Sequence, residues 1–81
     1  MKDSDWEILH ELSQTPNLTR VAAKLFMTQP SLTKRLQHME EEFGIAIVNR
    51  GPKGLEFTPE GKFLAEQAGA YLAFMDSLRS H

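Results

Sequence analysis

Gln29, Ser31, Thr33 and Lys34 place an amide, two hydroxyls and an ammonium within six residues, with Pro30 among them. Their shared chemistry is directional hydrogen bonding. On a helix lying in the major groove of duplex DNA, amides match adenine, cations match guanine, and hydroxyls match either. The surrounding run, TQPSLTKRLQHMEEEFG, begins at Thr28, a residue type that caps helices. Proline is tolerated just inside because the first-turn amides have no intrahelical acceptor. The charge order is the reverse of what the helix dipole favours: Lys34 and Arg35 stand in the first half, Glu40, Glu41 and Glu42 at the end. A helix that enters a groove by its N-terminal end brings amides and cations to phosphate oxygens. Its glutamates then stay outside, where repulsion is weak and screened.

A solvated helix with arbitrary charge order is the plainer reading, but the acid-free span extends well beyond this helix. Residues 12–39 contain no Asp or Glu, and Arg20, Lys24, Lys34 and Arg35 give the span +4, although the whole chain carries −2. Local charge, rather than the net, sets the field at a binding surface.

Catalytic patterns are weaker. HELSQ at 10–14 approaches the zinc-protease pattern His-Glu-x-x-His, but Gln14 occupies the place of the second histidine. GPKG at 51–54 is a turn, the three histidines are scattered, and the absence of cysteine removes disulfides and thiolate metal sites. No enzymatic activity, metal or cofactor is expected. No apolar run reaches signal-peptide or membrane-spanning length, so the expectation is a cytoplasmic protein with no membrane partner.

The elements that must position these side chains can be read from periodicity. With 81 residues there is room for one small core. A first helix is expected from Ser4, with Glu7 completing a capping box and Trp6, Ile8, Leu9 and Leu12 forming its apolar stripe. TPN at 15–17 ends it. A second helix is expected over 19–26, capped by Asn17 or Leu18, with Val21, Ala22 and Leu25 inward and the Ala22-Ala23 pair admitting a close neighbour. FMT turns the chain into the third helix, about 29–43, where Leu32, Leu36, Met39 and Phe43 share the inward face. Pro30, Lys34, Gln37 and Glu41 centre the outward one, and Gly44 suits a left-handed C-terminal cap. IAIV at 45–48 and LEF at 55–57 flank NRGPKG, the pattern of a hairpin whose basic tip carries Arg50 and Lys53. These two could reach a neighbouring phosphate or minor groove; an ion pair between Arg50 and Glu40, Glu41 or Glu42 is the competing reading. Thr58 and Pro59 then start a last helix reaching about residue 78. Along it Leu64, Ala68, Tyr71, Met75 and Leu78 follow a coiled-coil seam, widened by Phe63 and Phe74. Part of that seam must pack on the first helix, and the remainder suits a second copy.

The expected fold is therefore mainly α: a winged helix-turn-helix of three helices plus a two-stranded wing over 1–58, followed by a long linker or dimerisation helix over 59–81. In such a motif the second helix of the corner reads the groove while the first crosses the backbone.

LTRVAAKLFMTQPSLTKRLQHMEEEFGIAIVNR resembles the DNA-binding domain of LysR-type bacterial transcriptional regulators. The matching residues are Thr19, Arg20, Ala22, Leu25, Gln29, Pro30, Leu32, Glu40, Glu41, Gly44 and Arg50, and FTPEG at 57–61 resembles the opening of the family's linker helix. The chain departs from the common pattern at Thr33, Lys34 and Ile47-Val48, where serine, arginine and Leu-Phe are frequent. The resemblance implies sequence-specific binding of a double-stranded operator, with the third helix in the major groove and the wing at the adjacent backbone or minor groove. It puts Gln29, Pro30, Ser31, Thr33 and Lys34 at base edges, and Thr19, Thr28, Arg35, Arg50 and Lys53 near phosphate. It also implies a homodimer on an inverted repeat, joined through Leu64, Ala68, Tyr71, Met75 and Leu78 of the linker helix, or a tetramer in a full-length protein. The family's C-terminal domain, which senses a small-molecule effector, is expected to be missing from this chain, and Arg79–His81 reads as either native sequence or a tag remnant. A winged helix used for protein–protein interaction is the alternative.

Overall fold

The computed structural model describes residues 3–52 and 54–80. The order is α1 (Asp3–Gln14), α2 (Leu18–Lys24), α3 (Gln29–Phe43), β1 (Val48–Gly51), β2 (Gly54–Phe57) and α4 (Pro59–Arg79). This is a winged helix-turn-helix with a long C-terminal helix, as the sequence predicts. No helix among the described residues is long and apolar enough to cross a membrane.

α1 buries Ile8, Leu9 and Leu12, with Asp3 and Asp5 in the first turn where the dipole favours acids. Ser4 is not its cap. It lies inside the first turn, and its hydroxyl instead accepts a hydrogen bond from Arg35 Nη2 at 2.6 Å. α2 starts as expected at Asn17, whose side chain accepts from the Arg20 amide at 3.0 Å. It ends before residue 26, in a corner built by two backbone bonds: Phe26 N–H donates to the Ala23 carbonyl and Met27 N–H to the Ala22 carbonyl. That pairing is a Schellman cap, and Phe26 takes the left-handed position at φ 58°, where glycine is usual. The tight corner sets α2 against α3 and lets Val21 and Ala22 meet the core; Ala23, expected at a close helix contact, is exposed.

α3 is framed by Thr28, whose hydroxyl accepts from the Ser31 amide, and by Gly44 at φ 65°. Leu32, Leu36 and Met39 are buried, but Phe43, expected with them, is 43% exposed. At the last turn Phe43 lies at the edge of the core, beside Ile45, Phe63 and Leu64 on an open groove rather than inside. The wing also differs from its expected bounds. β1 starts three residues later than IAIV, because Ile45 and Ile47 are used as core and joint rather than as a paired strand. The register pairs Val48 with Phe57, Asn49 with Glu56, Arg50 with Leu55 and Gly51 with Gly54.

α4 is capped by Thr58, which accepts from the Gly61 amide at 2.9 Å, with Pro59 at the first turn. It packs chiefly along α1. Gly61 is required where α4 crosses the chain entering the wing: a Cβ there would lie 2.0 Å from the Ile47 carbonyl oxygen. The core comprises Ile8, Leu9, Leu12, Val21, Ala22, Leu32, Leu36, Met39, Ile47, Ala65 and Ala68.

Candidate nucleic-acid interface

Three elements bring polar side chains to one side of the fold. Pro16, Asn17, Leu18 and Thr19 at the start of α2, Gln29 at the start of α3, and Arg50, Gly51, Gly54 and Leu55 of the wing line one open cleft of about 350 Å³. Thr19, Gln29 and Arg50, far apart in sequence, therefore border the same surface. Two helix N-termini open close to it, and their unsatisfied amides favour anions.

The start of α3 is internally braced. Thr28 Oγ1 accepts from the Ser31 amide at 3.3 Å and donates to Ser31 Oγ at 2.9 Å. Gln29 Nε2 donates to Thr33 Oγ1 at 3.0 Å, one helical turn on. That bond fixes the half-buried amide over the helix surface while leaving its carbonyl and its second N–H available. A side chain already ordered has less entropy to lose on binding. Pro30, Ser31 and Lys34 are exposed beside it, Thr33 is half-buried, and Thr28 and Thr19 are exposed.

The cations divide into two groups. Lys24 Nζ meets the Glu11 carboxylate at 2.7 Å. Arg35 forms an ion pair with Asp5, donating from Nε at 2.8 Å and again from Nη2, which also bonds Ser4. Half of the +4 in the acid-free span is thus matched by acids of α1 once the chain folds. Arg20, Lys34 and Arg50 remain exposed, and among the described residues none of the three is in an ion pair. Arg50 makes no salt bridge with Glu40, Glu41 or Glu42 among the described residues. Lys53, expected beside it at the wing tip, lies outside them.

Glu40 has a side-chain role that the charge pattern of α3 does not reveal. Its Oε2 accepts from the Ile47 amide at 2.7 Å and the Val48 amide at 3.4 Å, tying α3 to the root of β1. The signal was available, because Glu40 falls four residues after Leu36 and eight after Leu32, on the inward stripe.

The expected seam on α4 divides between two jobs. Ala68 is fully buried against the core. Tyr71 packs against Trp6 with the rings tilted by 40° and their centroids 5.6 Å apart, and its hydroxyl donates to Asp3 at 2.9 Å, a bond that raises the phenol above its ordinary pKa. Leu64 and Met75 are half-buried, and Leu78 is 55% exposed. The large apolar groups left in water lie on the other side of the helix, at Phe63 (62% exposed) and Phe74 (61%). Phe63 and Leu64 join Phe43, Ile45, Pro59 and Glu60 around an open, largely apolar groove of about 610 Å³.

The model of bacterial regulatory helix-turn-helix proteins of the lysR family matches residues 4–62. The chain belongs to the LysR family. It is 37% identical over its full length to YraN of Bacillus subtilis, an uncharacterized HTH-type transcriptional regulator, and spans 28% of that relative. With the HTH-type transcriptional regulator BenM of Acinetobacter baylyi it shares 38% identity over 64 residues, 79% of this chain and 21% of BenM. The BenM DNA-binding domain in complex with catB site 1 DNA superposes with a TM-score of 0.92 at 31% identity, covering 99% of this chain and 86% of that one. The CbnR DNA-binding domain in complex with DNA gives 0.82 at 26% identity, covering 99% and 94%. This family of transcriptional regulators thus accounts for the corner, the wing and the long last helix together.

Proposed function

We propose that this chain reads double-stranded DNA for a LysR-family transcriptional regulator acting in the cytoplasm, with the N-terminal end of α3 in the major groove. The carrying observation is the convergence of Thr19, Gln29 and Arg50 on one cleft, with Lys34 exposed beside it. Gln29, Pro30, Ser31, Thr33 and Lys34 meet base edges; the Gln29 amide suits adenine and the Lys34 ammonium suits guanine. Thr19, Thr28 and Arg50 contact phosphate or the adjacent minor groove. Arg35 acts from behind, holding α3 on α1 through Asp5 rather than meeting DNA itself. The DNA complexes of the BenM and CbnR domains support this reading by likeness of fold.

The protein works as a dimer on an inverted repeat. A second copy covers the exposed side of α4 around Phe63, Phe74 and Leu78, removing from water the apolar area that one copy leaves uncovered. Tethering two α3 helices converts the second contact into an intramolecular one and raises affinity without new chemistry. Effector sensing, in a longer protein carrying this chain, belongs to the further length that relatives possess.

The test is a mobility-shift titration against random duplex, followed by selection of bound sequences and titration of the selected site at several salt concentrations. A selected site with two-fold symmetry, bound with affinity that falls linearly in log–log against salt, supports the reading. Absence of any duplex binding rejects it and leaves a protein–protein role for the same surface.

A further inference from the structure

The route from α3 to the wing turns on a single residue, Ile47. Ile47 is fully buried; its amide is held by the Glu40 carboxylate, while its carbonyl accepts from the Thr58 amide at 3.0 Å and from Thr58 Oγ1 at 3.2 Å. Gly61 lies directly against that carbonyl. Val48, the first residue of β1, shares the carboxylate at 3.4 Å. Glu40 also supplies the backbone carbonyl that receives the Gly44 amide and, at 3.2 Å, the Ile45 amide. One residue of α3 therefore closes its own helix with its main chain and anchors the wing root with its side chain.

We propose that Glu40 is a positioning residue for DNA binding: its carboxylate fixes the wing, and with it Arg50, at a set distance from the start of α3. The inference rests on the reading of the wing as a DNA contact. One residue separates Val48 from Arg50, and β1 is paired with β2 along its length, so a shift at the root is carried to Arg50. Hydrogen bonds from amides to a carboxylate are stronger than neutral ones and directional, which suits a fixed joint. Glu41, one residue on, is exposed and has no such role.

The sign of the effect separates positioning from charge. Removing a negative charge from a DNA-binding surface strengthens binding through the long-range field, whereas releasing the wing weakens it. Glu40→Gln keeps an acceptor oxygen and loses the charge; Glu40→Asp keeps the charge and is one methylene too short to reach both amides. Both variants are expected to bind a selected duplex roughly three- to tenfold more weakly, the worth of about one hydrogen bond. Glu41→Gln is expected to bind slightly more tightly. In an Arg50→Ala background the further loss caused by Glu40→Asp should vanish, because the wing then has little left to position.

Residual dipolar couplings give a measurement independent of DNA. In Glu40→Asp the orientation of β1 and β2 relative to α3 should change while α1, α2 and α3 keep theirs. An unchanged wing orientation overturns the proposal. So does tighter binding by Glu40→Gln, an undiminished Glu40→Asp effect without Arg50, or loss of the fold in both variants. A wild-type protein that binds no duplex while Glu40→Asp still reorients the wing overturns the proposed function and leaves Glu40 as the joint.

Discussion

α3 and α4 solve burial in opposite ways. α3 hides large side chains, Leu32, Leu36 and Met39, and apart from Phe43 at its last turn shows water polar ones. α4 hides small ones, Gly61, Ala65 and Ala68, and shows water Phe63, Phe74 and Leu78. A helix with its bulk inside needs only polar company on its other face, which suits bases and phosphates. A helix with its bulk outside and its small residues inside lies close to α1 and keeps its largest apolar groups for something else. The contrast matches the two proposed roles: a polar face for bases and phosphates, and an apolar face for a second copy.

The largest effect should come from the small side of α4. Gly61→Ala drives a methyl into the Ile47 carbonyl, backbone against backbone, with no flexible side chain to yield. A loss of about 3 kcal/mol in urea denaturation is expected, at the upper end for overpacking. A variant as stable as wild type would show that α4 can lift off the wing root, and the contrast would lose its basis. On the opposite side, Phe74→Glu should leave the fold of a single copy intact, because the ring is mostly in water there. Sedimentation should show dimers becoming monomers, with DNA affinity falling more than tenfold as tethering is lost. A wild-type protein that is monomeric at high micromolar concentration would contradict the assignment.

Arg35→Ala sharpens the polar half. Its guanidinium faces Asp5 and Ser4, so the expected loss is about 1–2 kcal/mol of stability, from an ion-paired hydrogen-bond donor removed and its partner left behind. The slope of log affinity against log salt should stay unchanged; a slope shallower by about one would place Arg35 on a phosphate after all. The smallest effect is expected at the corner. Phe26→Gly relieves a left-handed residue whose ring is 98% exposed, and should stabilise by about 0.5–1 kcal/mol after glycine's greater freedom in the unfolded chain is subtracted. Thermal melting would detect it, and destabilisation would mean that the ring makes a contact worth keeping.

The architecture was legible where local chemistry decides it. Asn17, Thr28 and Thr58 cap because their hydroxyl or amide oxygens reach amides three residues on, and Gly44 ends α3 because it can turn left-handed. What escaped depends on distant partners. Arg35 and Lys24 look like free positive charge until α1 folds back with Asp5 and Glu11. Ser4 has the form of a cap but faces a guanidinium from 31 residues away. The seam Leu64–Ala68–Tyr71 was a correct periodicity with two owners, since Ala68 and Tyr71 are taken by the core and α1. The wing began late because Ile47 is a joint, a role that a short apolar run does not distinguish from a strand. Of the interface, each of Thr19, Gln29 and Arg50 is a candidate from its own sequence context, but only the folded chain brings the three to one cleft.

Sequence selection by wild type and Gln29→Ala in parallel decides whether the start of α3 discriminates bases. Gln29→Ala is expected to bind the wild-type site about 1–3 kcal/mol more weakly, and its selected site to lose preference at one position in each half, with the remaining positions intact. An identical selected site bound with unchanged affinity would contradict it.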